Sequence, residues 1–281
     1  MSKLLKFASG MAAAGSLLLA GQAHADPTAF LPDDALVQFK YNNLESVVEK
    51  PGDVLVGIAN FSTIGDPDGT PYFASGISDG TILTGKFINL TVAQVTFVSP
   101  TSSIIYFIGG QLNIYNVPTG SYKPTSPTNP LDPQICFTSP GSICPTPFLT
   151  FDFVPGVVTV DNPTTPLFDE RTAVLVSTVT GTVSPFSGTG DGQLEITGGT
   201  AAFKFVDGPG PDFSVQSNLQ TCPAPVGSPF TGNCAKAAGY PIASFDPLIG
   251  RTSIPVPEPT SIALAGLALL GVCASTKRRA G

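Results

Sequence analysis

The sequence has no tryptophan, two methionines and a single histidine, and only 12% of its 281 residues are charged. The histidine, His24, falls within an N-terminal segment that reads as a removable leader, so the mature chain has no imidazole. Serine or cysteine nucleophiles activated by histidine are thereby excluded, as are histidine-ligated zinc and copper centres. A Ser-Lys pair has no support either, because no S-x-x-K occurs after the leader. With 30 glycines and 28 prolines the chain is too rich in helix breakers for a helical bundle or coiled coil. A mean hydropathy of +0.26 argues against a disordered chain. What remains is a packed, turn-rich β protein.

Both ends carry targeting chemistry. Lys3 and Lys6 precede an apolar run from Phe7 to Leu19, which ends in Ala23-His24-Ala25. These are the charged, apolar and small-residue parts of a signal peptide spanning residues 1–25. At the other end, Val256-Pro257-Glu258-Pro259 leads into an apolar membrane segment over residues 260–276 and then Lys277-Arg278-Arg279. The apolar stretch is shorter than the roughly 20 residues of a comfortable span, and flanking basic side chains extend it by snorkelling. The basic cluster predicts that the tail stays cytoplasmic.

This C-terminal arrangement resembles the PEP-CTERM sorting signal of Gram-negative bacteria. The resemblance covers residues 256–281 and rests on Val256, Pro257, Glu258, Pro259, Lys277, Arg278 and Arg279. It implies export across the inner membrane by the secretion machinery, recognition by an exosortase, and a destination at the cell surface or in the extracellular matrix. Proteins with this signal tend to come from bacteria that make exopolysaccharide, flocs or biofilm. The signal is an address and says nothing about activity.

Removing both ends leaves an exported domain, residues 26–255, from which five of the 13 basic residues are lost with the two ends. All 20 acidic residues lie between Asp26 and Pro259, so eight bases face 20 acids and the formal charge deepens from −7 to −12. Nucleic acid is excluded as a partner, since phosphate binding needs a basic surface. Four cysteines fall in this domain, and proximity favours Cys136 with Cys144 and Cys222 with Cys234. Each bridge would staple a Pro/Gly-rich loop. The first lies in an excursion over residues 118–147 that holds eight prolines. The second lies in a further excursion running from Asp207 to Pro255.

About ten stretches read as strands bounded by Gly or Pro, among them 35–41, 53–61, 86–98, 103–108, 111–117, 148–154, 172–184 and 193–197. The fold class is all-β, an antiparallel β-sandwich or barrel-like domain with two disulfide-stapled loops, with the C-terminal membrane segment as the one clear helix. Asn42–Glu49 reads as a short helix, and Gly198-Gly199 as the turn joining 193–197 to a strand over 200–206.

Candidate chemistry is confined to carboxylates. Glu45, Glu49, Glu170 and Glu195 could supply the acid and base of a glycoside hydrolase, but any surface this acidic contains such pairs. Asp169-Glu170-Arg171 reads as a solvated turn, and Glu195 lies on the polar face of its strand. Asp66-Pro67-Asp68-Gly69 spaces Asp66 and Asp68 as candidate calcium ligands, and it equally fits an ordinary turn. Apart from calcium, no cofactor is expected. The stretch Phe186–Thr200 and the segment Gly52–Ile58 are similar to parts of flocculation-associated PEP-CTERM proteins. The expected function is that of a non-enzymatic surface or matrix protein with a structural or adhesive role in biofilm or floc, with exopolysaccharide as a partner. The alternative is a carbohydrate-binding module or a carboxylate-dependent glycosidase.

Overall fold

A computed structural model describes residues 27–77, 80–119, 146–156, 169–181, 187–205, 209–221 and 242–253. The expected signal peptide, all four domain cysteines, the sorting motif and its membrane segment lie outside these residues, as does the strand candidate at 157–160.

Strand formation follows from alternation of apolar and polar residues. In β1 (Leu36–Glu45), Val37, Phe39, Tyr41, Asn43 and Glu45 are buried while Gln38, Lys40 and Asn42 are more open. The same two-residue period recurs in β10 (Phe213–Thr221) and in parts of β4 (Thr81–Ser99) and β6 (Gln111–Pro118), while β2 (Val54–Gly65) buries Leu55 to Ala59 in an unbroken run. The remaining strands are β3 (Pro71–Ala74), β5 (Ser102–Ile108), β7 (Leu149–Val154), β8 (Leu175–Thr180), β9 (Ser187–Gly198) and β11 (Ile242–Arg251).

All eleven belong to one antiparallel sheet, and the pairings of β2 with β4 and of β8 with β9 close it on itself. Two of the walls are composite. β5 and β6 run along the same edge of β4, interrupted at Gly109-Gly110, and so behave as one bent strand. β7 and β8 likewise share one edge of β9. Counting each composite once, and setting aside the short ribbon β3, each strand pairs with the next in sequence and β11 returns to β1. The result is an up-and-down barrel of eight strands, which resolves the sandwich-or-barrel choice left open by the sequence. Closure removes the unpaired edges an open sheet would expose.

The bend is built into the backbone. Asn89 in β4 has φ 61°, and Gly109 and Gly110 opposite it have φ 65° and 101°. These are left-handed conformations that glycine adopts freely and asparagine tolerates. A Cβ on Gly110 would also lie 2.5 Å from the Leu90 side chain.

One end of the barrel is plugged. Phe39, Phe151, Phe205 and Phe213 meet there with ring centroids 5.1–6.0 Å apart, mostly edge to face. Phe205 follows a 3-10 turn, Ala202–Lys204, and bridges Thr252 just beyond β11. Burial of each such ring contributes about 1.5–3 kcal/mol.

Three expectations are corrected. Asn42–Glu49 is not a helix, because β1 continues to Glu45 with its alternation intact. Of the strand expected over 200–206, the described residues 200–205 do not form the second strand of a hairpin: Gly199 packs against the Phe148 and Leu149 backbone, and the chain turns into the plug. The stretch from Asp207 to Pro255 is no mere excursion, since it contributes β10 and β11, without which the barrel could not close.

Candidate functional site

Among the described residues, the end of the barrel opposite the plug is open. A cavity of about 590 Å³ lies in its mouth, and a recess of about 40 Å³ continues from it into the barrel. Glu45, Leu55, Ser177 and Leu219 line both spaces and so mark the floor of the cavity. In an eight-stranded barrel the interior is just wide enough to be filled by side chains or to hold one small ligand. Here aromatic rings fill one half, and the other half is open.

Register sets the floor. Asn43 of β1 faces Ser244 of β11, while Ser177 of β8 and Ser217 of β10 both flank Gly190 of β9. A Cβ at Gly190 would stand 2.5 Å from the Ser217 hydroxyl and 3.1 Å from that of Ser177, so a glycine is needed for the two hydroxyls to close over the strand. A belt of polar side chains from β1, β8, β10 and β11 thus interrupts an otherwise mainly apolar interior.

Glu45 is the charged member of this belt and is 6% exposed. Its Oε1 accepts hydrogen bonds from Asn43 Nδ2 at 2.7 Å and Ser244 Oγ at 2.8 Å, and Asn43 Oδ1 lies within reach of the same serine hydroxyl, whose one proton the two oxygens share. Both donors serve Oε1, and Glu45 itself lines the cavity. Burial pushes the Glu45 carboxyl up from its usual 4.5 to about 7, against the opposing pull of the Ser244 hydrogen bond.

The rim comes from the loop after β1. Ser46 N–H donates to Val56 O, Val56 N–H donates back to Ser46 Oγ, and Asp53 Oδ2 accepts from the amides of Glu49 and Lys50 at 2.8 and 3.0 Å. The Glu49 amide is the first cause that holds the Asp53 carboxyl below its usual range; desolvation opposes it, and the Lys50 amide and charge add to the lowering. This fold of the loop brings Val47, Val48 and Glu49 to the mouth. Across from them, the end of β4 contributes Val95 and Phe97.

Among the sequence candidates, Glu45 and Glu49 therefore line one cavity. Glu195 is exposed on the outer face of β9, and Asp169 pairs with Arg171 at 3.0 Å on the surface. Asp66 closes the β2–β3 turn, its Oδ1 accepting from the Thr70 amide at 2.9 Å, and Asp68 lies in the same turn. Among the described residues, no cluster of three or more His, Cys, Asp or Glu is placed to hold a metal ion. Cys136, Cys144, Cys222 and Cys234 and the motif residues Val256–Pro259 and Lys277–Arg279 lie outside the described residues. Sequence reasoning missed the polar belt of Asn43, Ser177, Ser217 and Ser244. The signal for its β1 part was the alternation Val37, Phe39, Tyr41, Asn43, Glu45, which puts an amide and a carboxylate on an apolar face.

The fold and site define a closed antiparallel barrel, plugged at one end and hollow at the other, with a buried carboxyl group at the base of the hollow. Residues 255–279 match the PEP-CTERM protein-sorting motif. That motif implies an exported, cell-surface-associated protein processed by an exosortase. No curated protein and no solved structure matches the chain.

Proposed function

We propose that this chain is a structural or adhesive component of the exopolysaccharide matrix, biofilm or floc around a Gram-negative cell, and that it acts by binding rather than by turnover. The observation that carries the reading is the sorting motif at residues 255–279, placed after an acidic barrel domain. The formal charge of −12 on the exported part suits a soluble exterior protein and disfavours phosphate-rich partners. Deleting residues 256–281 is expected to abolish retention at the surface or in the matrix. Unchanged retention would overturn the assignment.

One observation favours a second reading, the carboxylate-dependent glycosidase. Glu45, pushed up to about 7, lies in the range of a general acid, and Glu49 lines the same cavity. Against it stands the mainly apolar wall of the cavity, built from Leu55, Val95, Ile105, Val179, Leu219 and Ile242. Incubation with the host's exopolysaccharide separates the readings. Released oligosaccharides would establish the enzyme, whereas binding without release would establish a carbohydrate-binding module.

A further inference from the structure

We propose that the barrel mouth is a binding site for a small amphiphile with an aliphatic body and an uncharged or cationic hydrogen-bond-donating head, the chemistry of a long-chain alcohol or amine. The inference stands apart from the matrix role, because surface retention and ligand uptake are read in separate assays.

Size and lining argue for the body. The cavity of about 590 Å³ lies within the range of small-molecule sites. Its walls are mainly aliphatic, with Leu55, Val95, Ile105, Val179, Leu219 and Ile242 contributed by six different strands. An alkyl body matches these walls without burying polar groups of its own, whereas each sugar hydroxyl set against them would be desolvated. The entrance is apolar as well: Phe97 and Val47 line the mouth and are 76% and 43% exposed. Exposed apolar side chains at the rim of an apolar cavity suit a ligand that partitions out of water.

The floor argues for the head. The Glu45 carboxyl, together with the hydroxyl of Ser177, offers hydrogen bonds at the inner end of the cavity. A purely aliphatic ligand would strip water from these groups and replace none of their hydrogen bonds. The sign of the head follows from the charged residues of the lining, which among the described residues are Glu45 and Glu49, with no Lys, Arg or His beside them. An anionic head would meet carboxylates with no counter-ion, whereas a hydroxyl or ammonium donates to them.

The test uses the exported chain, free of detergent, and the neutral dye N-phenyl-1-naphthylamine, whose fluorescence rises in apolar surroundings. At pH 8, decylamine and decan-1-ol, kept below micelle formation, are expected to displace the dye. Sodium decanoate, of the same chain length, should compete at least about tenfold less well. Val179→Trp fills the cavity and is expected to lower dye uptake about tenfold or more with the far-UV circular dichroism preserved. Should that variant fail to fold, Glu45→Gln provides the second arm: it keeps the hydrogen-bonding oxygen, removes the charge, and should narrow the gap between amine and decanoate to within about threefold. The proposal is overturned if the parent takes up no dye, if decanoate competes as well as decylamine, or if a folded Val179→Trp chain binds like the parent.

Discussion

Glu45→Gln is also the sharpest perturbation of the fold itself. In the folded chain the Glu45 carboxyl is pushed up to about 7, against 4.5 when unfolded. Between these values the folded state holds a proton that the unfolded state releases. The contribution to stability is therefore fully present below about pH 4.5, falls as pH rises through 7, and is flat above. A displacement of that size corresponds to about 3 kcal/mol, at 1.36 kcal/mol for each pH unit. Asp53, whose carboxyl is held low, works in the opposite sense and in a separate window: its contribution is present above its usual 3.8 and is lost only at more acidic pH. Glutamine keeps an oxygen for Asn43 and Ser244 and does not titrate. Urea unfolding, followed by tyrosine fluorescence in this tryptophan-free chain, should be measured from pH 4.5 to 8. The parent should lose about 3 kcal/mol over that range relative to the variant, and the variant should be the more stable by about that amount at pH 8. Parallel curves for the two proteins would refute the buried-carboxyl argument.

Other substitutions test the barrel and its plug. Gly110→Ala combines a φ of 101° with a Cβ 2.5 Å from Leu90, and should cost about 1–3 kcal/mol or more, read as a fall in Tm. Phe205→Ala removes the ring that touches Phe39 and Phe213, and a loss of about 3–5 kcal/mol is expected in urea unfolding. Asp66→Ala deprives the Thr70 amide of its acceptor in an exposed turn, so its cost should be no more than about 0.5–1.5 kcal/mol by the same measurement.

Much of the strand pattern was legible because alternation is local. The cores of β1, β2, β5, β6 and β7 fall in alternating or continuously apolar runs bounded by Gly or Pro. Reading stopped at Tyr41 because Asn43 and Glu45 are polar, although they continue the same inward face and are as buried as Tyr41. β9 is longer than its apolar part because Gly188, Gly190 and Gly192 occupy inward positions without an apolar side chain to reveal them. β10 and β11 were obscured by the Pro/Gly-rich stretches around them, yet in the barrel they carry one side of the wall. The candidate carboxylates were visible as residue types, but nothing in their spacing distinguished the buried Glu45 from the exposed Glu195.

By itself the sequence determined the address and the class: a PEP-CTERM sorting motif at the C terminus and an all-β exported domain. These depend on short motifs, composition and two-residue periodicity, all of which act over a few neighbouring residues. Tertiary structure alone decided that the sheet closes, that one half is packed with phenylalanine and the other hollow, and that Glu45 lies at the floor of the hollow. Each of these depends on register between strands far apart in the chain, as when Asn43 meets Ser244 and Gly190 meets both Ser177 and Ser217. Register is set by the combined packing of the inward faces, and no local stretch of the chain contains that information.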